Sequence, residues 1–503
     1  MAKVKVESSP TLQEGEYTVE ICKDLNFFDL TGKKAKTQGT SNKFYHAELQ
    51  VAKSGDQAQI YTMYGATGRV QRREWRVFDD RAAAEKEFAR IIKSKVKKGY
   101  EEIDVGVKAL GSEEAKKQTK PVKYTNAGHL EKSKKASSLS DDKKQIVDLF
   151  FGSQAHFVAT TLKCPLGQLT HDQIDKGRDF LNRAKGLVNV IKKVTDAKRE
   201  ELTELTNGFY RCIPHNLGAG RRGQMDHLIL DALPKIMQKE DDLDTLLDAK
   251  QVNAVLKDGA DEESKYKSLN CDFTEVTSSS EEFKFVAGYF AGSQVDQHGY
   301  GNSKVVRVWR MERQDAKEAA FIINAEKIAK SCGKNTFATE TNSLSGGKSK
   351  LWVPGKRPGL TKERIKLYTA ANVWPCWHGT RSANLVGITR RGLMIRPSGA
   401  VYTGSLMGDG KYFAWQSTKS LNYCDGGYWT GGTRNSSKFM FMLDVALGNM
   451  YTQKSAKFFN RSPSGYHSVY GKAGGCLLND EMITYDSIDG ANQSGVQYLL
   501  EIH

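Results

Sequence analysis

The apolar periodicity changes twice along these 503 residues, so the chain cannot fold as one repeating element. Residues 17–20, 43–51 and 58–64 mix β-branched and aromatic residues with polar ones, as strands do, and Gly65 and Gly68 mark a turn. Residues 15–78 read as a small sheet. From Asp80 the text DDRAAAEKEFARIIKSKVKKG begins on an N-cap residue, runs through strong helix formers and stops at Gly99. One helix therefore closes the sheet. Residues 104–139 are rich in Lys, Ser and Gly with few aromatics, the composition of a solvated linker.

Beyond the linker the period becomes helical. Ile174, Leu181, Ala184, Leu187, Val188, Ile191 and Val194 recur at three and four, making one apolar stripe behind Thr170, a candidate N-cap. Pro165, Pro214 and Pro234 interrupt this region, which predicts a bundle of several helices. After about residue 258 glycine rises and strands are expected in FKFVAGYF, SKVVRVWRM, KFMFMLDVAL and EMITYD, a β-rich α/β domain. Residues 329–365, rich in Gly, Ser and Lys, read as an insertion loop within it.

Length agrees with this division, since about 150 residues per domain predicts roughly three. No stretch approaches the roughly 18 uncharged apolar residues that a bilayer span needs, and the start MAKVKVESSPTLQ lacks a signal-type apolar region. The expectation is an intracellular protein that makes no use of a membrane. Eight scattered cysteines include no Cys-x-x-Cys and no Cys pair near a His pair, so they read as reduced thiols and not as zinc ligands. A net charge of +16 favours polyanions, although it also serves solubility. Residues 1–140 hold 27 Lys/Arg against 19 Asp/Glu, half of the excess in little more than a quarter of the chain. A nucleic-acid surface is expected there.

The chemistry-bearing text lies in the last domain. Trp377-His378-Gly379-Thr380-Arg381 is followed by Gly408-Asp409-Gly410-Lys411-Tyr412-Phe413-Ala414 and Ser417-Thr418-Lys419-Ser420-Leu421-Asn422-Tyr423-Cys424. Asp444 to Tyr451 (DVALGNMY) and Asn479 to Asp486 (NDEMITYD) complete the set. Each piece alone has a plain structural reading; in this order they resemble the catalytic domain of the poly(ADP-ribose) polymerases. Cys164 to Leu169 (CPLGQL), Thr206 to Gly218 (TNGFYRCIPHNLG) and Leu243 to Asp248 are similar to the helical regulatory domain of the DNA-dependent members. Tyr64-Gly65 to Gly68, REWRVF and the basic helix through Lys98-Gly99-Tyr100 resemble their WGR domain.

The resemblance implies a multidomain α+β chain without zinc fingers. It places an N-terminal tail at 1–14, a WGR-like DNA-sensing sheet and helix at 15–103, a linker at 104–140, an all-α regulatory bundle at 141–257, and a β-rich ADP-ribosyltransferase domain at 258–503. NAD+ is implied as consumed substrate, with no metal. Cleavage of the nicotinamide–ribose bond passes through an oxocarbenium-like state, which an anion beside the ribose stabilises. By resemblance Glu481 supplies that anion and assists the acceptor, while His378 orients the adenine-side ribose. Gly379 and Ser420 would bind the nicotinamide carboxamide, and Tyr412 and Tyr423 would sandwich its ring. Thr380, Asn384 and Lys419 complete the expected NAD+ site.

Tyr64, Arg69, Arg72, Arg73, Trp75 and Arg76 pair basic with aromatic groups, as a reader of DNA strand breaks requires, and equally fit an exposed basic hairpin with a core tryptophan. The family's Trp-Gly-Arg stands here as Tyr64-Gly65-Ala66, and Gly392-Leu393 is followed by Met394, with arginine only at Arg396. Met482 replaces a frequent aromatic, and the segment from His467 to Glu481 is short. The implied function is DNA-stimulated poly(ADP-ribosyl)ation of the protein itself and of protein acceptors in a DNA damage response, with an auxiliary factor at the acceptor site and, in a eukaryote, nuclear location. Mono-ADP-ribosylation and a catalytically silent DNA-binding scaffold stand beside it as alternatives.

Overall fold

The computed structural model describes residues 6–13, 15–30, 40–66, 72–103, 138–161, 169, 171–190, 196–215, 217, 225–255, 261–295, 299–332, 354–395, 407–408, 410–426, 437–475, 477, 479–485 and 492–503. The chain divides into two compact units, Met1–Thr125 with Ala155–Asn253, and Asn126–Gln154 with Ala254–His503.

In the first unit, β1 (Val6–Glu7), β2 (Tyr17–Asp29), β3 (Ser41–Ala52), β4 (Ala58–Ala66), β5 (Arg72–Phe78) and β6 (Glu101–Ile103) form one sheet in the order β1-β5-β4-β3-β2-β6. Strand alternation turns Leu25, Tyr45, Ala47, Leu49, Val51 and Ile60 to one face, where Ala84, Phe88 and Ile91 of α1 (Arg81–Lys97) cover them. Asp80 caps α1 by accepting a hydrogen bond from Ala82 N at 2.9 Å. Gly99 leaves the helix at φ +87°, where a side chain would be strained.

The other face of these strands is buried and polar. His46, Glu48, Gln50 and Gln59 are each at most 2% exposed. They satisfy one another in a chain: Gln50 Nε2 donates to Glu48 Oε2 and Gln59 Nε2 to Gln50 Oε1, each at 2.7 Å. His46 lies between carboxylates, with Nδ1 2.8 Å from Asp24 Oδ1 and Nε2 3.0 Å from Glu48 Oε1.

Helices α2 (Asp141–Thr161), α3 (His171–Val190), α4 (Asp196–Cys212) and α5 (Leu233–Val255) follow, and the division between units falls inside α2. The expected stripe is on α3: Ile174, Leu181 and Ala184 are buried in the helical core and Leu187 and Val188 pack against it. Thr170, Ile191 and Val194, like residues 104–137 and 162–168, lie outside the described residues. The α3–α4 contact is tight, since a Cβ on Gly208 would stand 2.3 Å from the Phe180 ring.

Strand β2 completes this helical core. Phe28 and Leu30 are buried within it, and the Phe28 and Tyr210 rings lie 4.9 Å apart. Asn26 Nδ2 donates to the carbonyls of Tyr210 and Arg211 at 3.0 and 3.1 Å, and Leu30 N donates to Asn207 Oδ1 at 2.9 Å. Arg211 returns a hydrogen bond from Nε to Phe28 O at 3.0 Å. The TNGFYRC text of α4 is thus the seat of β2.

The second unit contains α6 (Glu262–Ser268), β7 (Cys271–Glu275), α7 (Glu281–Gly292), β8 (Val305–Arg313), α8 (Lys317–Ser331), α9 (Lys362–Ala370) and β9 (Val373–Gly379). After α10 (Leu385–Arg391) come β10 (Lys411–Phe413), α11 (Ser417–Leu421), β11 (Lys438–Ala446), β12 (Met450–Gln453), β13 (Ser468–Gly471), β14 (Glu481–Thr484) and β15 (Ser494–Ile502). Two sheets result, ordered β7-β8-β15-β11-β9 and β10-β14-β13-β12. All nine residues of β11 are buried; its Asp444 is neutralised by Arg357 Nη1 at 2.6 Å and accepts a hydrogen bond from the Tyr368 hydroxyl at 2.6 Å.

FKFVAGYF is helix, not strand. Ser280 Oγ accepts from Phe283 N at 3.1 Å to start α7, and Val286, Tyr289 and Phe290 are buried at helical spacing. Cap and period outweigh the β-propensity of the aromatics. The expected insertion loop is shorter than 329–365, because α8 extends to Ser331 and α9 begins at Lys362; residues 333–353 lie outside the described residues.

Candidate active site

Strand β9 ends on Trp377-His378-Gly379 because its register with β11 pairs Trp377 with Met442 and Gly379 with Met440. One bridge joins the two sheets: Trp377 N donates to Ala414 O at 2.9 Å, and Ala414 N to Trp377 O at 3.1 Å. It brings His378 against β10, with Nδ1 3.3 Å from Tyr412 O. A carbonyl only accepts, so Nδ1 carries the proton and Nε2 is left as an acceptor. Burial pulls the His378 ring down to about 4, opposed by the Tyr412 carbonyl, so the imidazole is neutral at pH 7.

Tyr412 is fixed at its far end. Its hydroxyl donates to Gly408 O at 2.8 Å and accepts from Met407 N at 3.2 Å. In the β10–β14 register Tyr412 faces Ile483, so Glu481, two residues earlier, shares its face of the sheet. Glu481 Oε1 accepts from Lys419 Nζ at 2.6 Å, and the same ammonium donates to Asp480 O at 3.1 Å. Burial lowers Lys419, while Glu481 works in the opposite direction. Lys419 and Ser420 lie buried on α11.

Helix α11 closes on β9, where a Cβ on Gly379 would stand 1.7 Å from Ser420 O. His378 thus touches the Tyr412 backbone, Tyr412 and Glu481 share one sheet face, Lys419 holds Glu481, and Ser420, next in sequence to Lys419, packs on Gly379. Residues scattered over a hundred positions of text therefore border one site. Thr380 and Asn384 support its edge, with Asn384 Nδ2 donating to Thr380 Oγ1 at 3.0 Å. Tyr423 follows α11 half-buried, its amide donating to Ser420 O at 3.0 Å.

Gly379→Ala forces β9 or α11 to move by more than an ångström, and a displacement of that size costs roughly 100-fold in rate at a positioned reaction centre. Turnover of NAD+, the substrate that the sequence resemblance implies, is expected to fall by that order in the variant, with cooperative thermal unfolding retained. Turnover within twofold of the parent protein would show that the β9–α11 contact does not set the site.

The basic and aromatic residues of the first unit do not share one surface. Tyr64 pairs with Arg72, and Trp75 with Tyr61. Alternation then puts Tyr64, Arg72 and Arg76 on the α1 face and Arg73 and Trp75 on the other. Arg69 lies outside the described residues. Tyr64 gives its hydroxyl hydrogen to Glu74 Oε1, and its ring stacks 5.5 Å from Tyr45. Unexpected here is Lys95, whose ammonium lies 3.7, 5.3 and 5.5 Å from the ring centres of Tyr45, Tyr64 and Tyr100. Burial, and then Lys98 and Arg76, push Lys95 down to about 8.

The two-sheet domain that holds these residues is of the NAD+ ADP-ribosyltransferase class, as its family match shows. Residues 280–488 match the family model of the poly(ADP-ribose) polymerase catalytic domain, 147–273 that of the poly(ADP-ribose) polymerase regulatory domain, and 28–107 that of the WGR domain. The chain belongs to the poly(ADP-ribose) polymerase family. It is 30% identical over 351 residues to poly(ADP-ribose) polymerase 1 of Gallus gallus, covering 68% of this chain and 29% of that protein. Identity is 26% over 483 residues with poly(ADP-ribose) polymerase 2-A of Oryza sativa subsp. japonica, covering 90% and 62%, and 26% over 467 residues with the Drosophila melanogaster poly(ADP-ribose) polymerase, covering 90% and 41%. The chain thus spans less than two thirds of the length of each of these relatives. Among the described residues no helix is long and apolar enough to cross a membrane.

Proposed function

We propose that this protein transfers ADP-ribose from NAD+ to itself and to other proteins, extends the product into polymer, releases nicotinamide, and does so when the first unit engages a DNA break. The observation that supports the transferase reading is that the His378–Tyr412 and Lys419–Glu481 hydrogen bonds, the face shared by Tyr412 and Glu481, and the Gly379–Ser420 approach fall in one neighbourhood. His378 Nε2 accepts a hydrogen bond from the adenine-side ribose, and the Gly379 backbone and Ser420 hydroxyl receive the carboxamide. Tyr412 and Tyr423 flank the nicotinamide ring, and Thr380 and Asn384 hold the turn beneath the dinucleotide.

Glu481, held in place by Lys419, faces the ribose where positive charge develops, then orients the acceptor hydroxyl. The protein's contribution is mainly position and charge, and the transfer needs no metal. Lys95 with Tyr64, Arg72 and Arg76 supplies a cationic, aromatic surface for DNA phosphates and exposed bases. Phe28 links that sheet to the regulatory helices. In a eukaryotic cell such a partner places the protein in the nucleus.

The test is incubation with labelled NAD+, with and without nicked or blunt duplex, resolving products by size. A DNA-dependent smear of polymer with free nicotinamide is expected. Discrete single adducts would reduce the activity to mono-ADP-ribosylation, and no nicotinamide release at all would leave a DNA-binding scaffold. Because Lys95 loses its proton as pH rises through about 8, and only the cation attracts phosphate, duplex affinity is expected to weaken between pH 7 and 9. Lys95→Gln is expected to flatten that profile.

A further inference from the structure

The buried polar face of the first sheet collects three groups that no part of the transferase reading uses. Cys22 and Asp24 alternate on β2, and the β2–β3 register sets Asp24 opposite His46 and Cys22 opposite Glu48. Cys22 Sγ lies 3.9 Å from Asp24 Oδ2 and 4.0 Å from His46 Nδ1, and His46 Nδ1 lies 2.8 Å from Asp24 Oδ1. Donor atoms around a tetrahedral zinc ion stand about 3.3–3.5 Å from one another, and with one ligand atom from each residue this triad lies within 4.8 Å, so a modest closing brings it to a coordination shell.

From this geometry we propose that Cys22 Sγ, Asp24 and His46 Nδ1 form a binding site for Zn2+ on the WGR sheet. The donor types select the metal: thiolate with imidazole suits zinc and not magnesium or calcium, which take oxygen ligands. The surroundings are those of a built site. His46 turns its second nitrogen to Glu48 Oε1 at 3.0 Å, the carboxylate–histidine–metal arrangement that fixes tautomer and ring orientation. Glu48 is held in turn by Gln50 at 2.7 Å, and Gln50 by Gln59 at 2.7 Å. Cys22 and Asp24 are half-buried, which gives an ion a path in and a water the fourth position. On binding, the protons on Sγ and Nδ1 pass to solvent, and the ion then carries the charge facing Asp24 and Glu48. Such an ion would clip β2 to β3 two residues before Asn26, where β2 bonds to α4. None of this depends on the transferase reading.

The test uses the full chain, stripped with chelator and dialysed against micromolar Zn2+. Stoichiometric uptake by elemental analysis is expected, with a rise in melting temperature on adding the metal. Loading with Co2+ is expected to give a thiolate-to-cobalt charge-transfer band. Cys22→Ser, a near-isosteric change at a half-buried position, is expected to abolish the band, weaken Zn2+ binding at least tenfold and remove the thermal shift. Asp24→Asn is expected to weaken binding while keeping the band. Failure of the parent chain to take up Zn2+, or retention of uptake and band by Cys22→Ser, overturns the site. Either result leaves the NAD+ assay untouched.

Discussion

Glu481→Gln is expected to cut ADP-ribose transfer by about 100- to 1,000-fold, the usual cost of removing one preorganised electrostatic partner of a developing charge. The substitution keeps shape and most of the hydrogen bonding of the side chain, so β14 and its pairing with β10 and β13 remain. What disappears is the negative charge that the proposed reading sets beside the ribose, and the ionic half of the Lys419 contact at 2.6 Å. Burial already disfavours the Lys419 cation, and without the glutamate that cation loses the partner that opposes burial. Lys419→Met added to Glu481→Gln should therefore cost little more than Glu481→Gln alone. Labelled NAD+ resolved by polymer size, beside a melting curve for each variant, measures both effects. Unchanged polymer length in Glu481→Gln would remove Glu481 from the mechanism.

Phe28→Ala is expected to separate DNA binding from catalysis. Phe28 is 1% exposed in the helical core yet belongs to a strand of the WGR sheet, and truncating a buried phenylalanine costs about 3–5 kcal/mol. Affinity for duplex, which the proposed reading assigns to Lys95, Tyr64, Arg72 and Arg76, is expected to change little. Stimulation of NAD+ turnover by that duplex is expected to be lost, because the seat between β2 and α4 is where the sheet grips the helices. Phe28→Leu keeps most of the packing and is the control for simple unfolding. Duplex anisotropy and stimulated turnover decide the matter: if Phe28→Ala binds and responds to DNA like the parent protein, the shared core does not couple them.

Much of this molecule is legible in the text where local rules act alone. The helix after Asp80 begins and ends where cap and glycine put it, and the α3 stripe is the buried one. FKFVAGYF misleads because aromatic composition hides a serine cap and a three-and-four spacing. The basic residues of β5 carried a usable signal as well: positions 72 and 76 differ in parity from 73 and 75, which predicts opposite faces. Lys95 stood in view within a lysine run, but its three-tyrosine surroundings come from β3, β4 and the turn after α1, and no spacing announces them.

The text alone settled which residue types were available and the period of each segment, and through ordered motifs it settled the family, because those properties are local or cumulative along the chain. Tertiary structure decided which of them meet. Strand register placed Asp24 against His46 and Tyr412 on the face of Glu481, a single bridge brought His378 to β10, and Gly379 allowed α11 to approach β9. Register and sheet-to-sheet contact depend on the packing of residues remote in sequence, and a shift by one residue would turn each of these side chains to the opposite face.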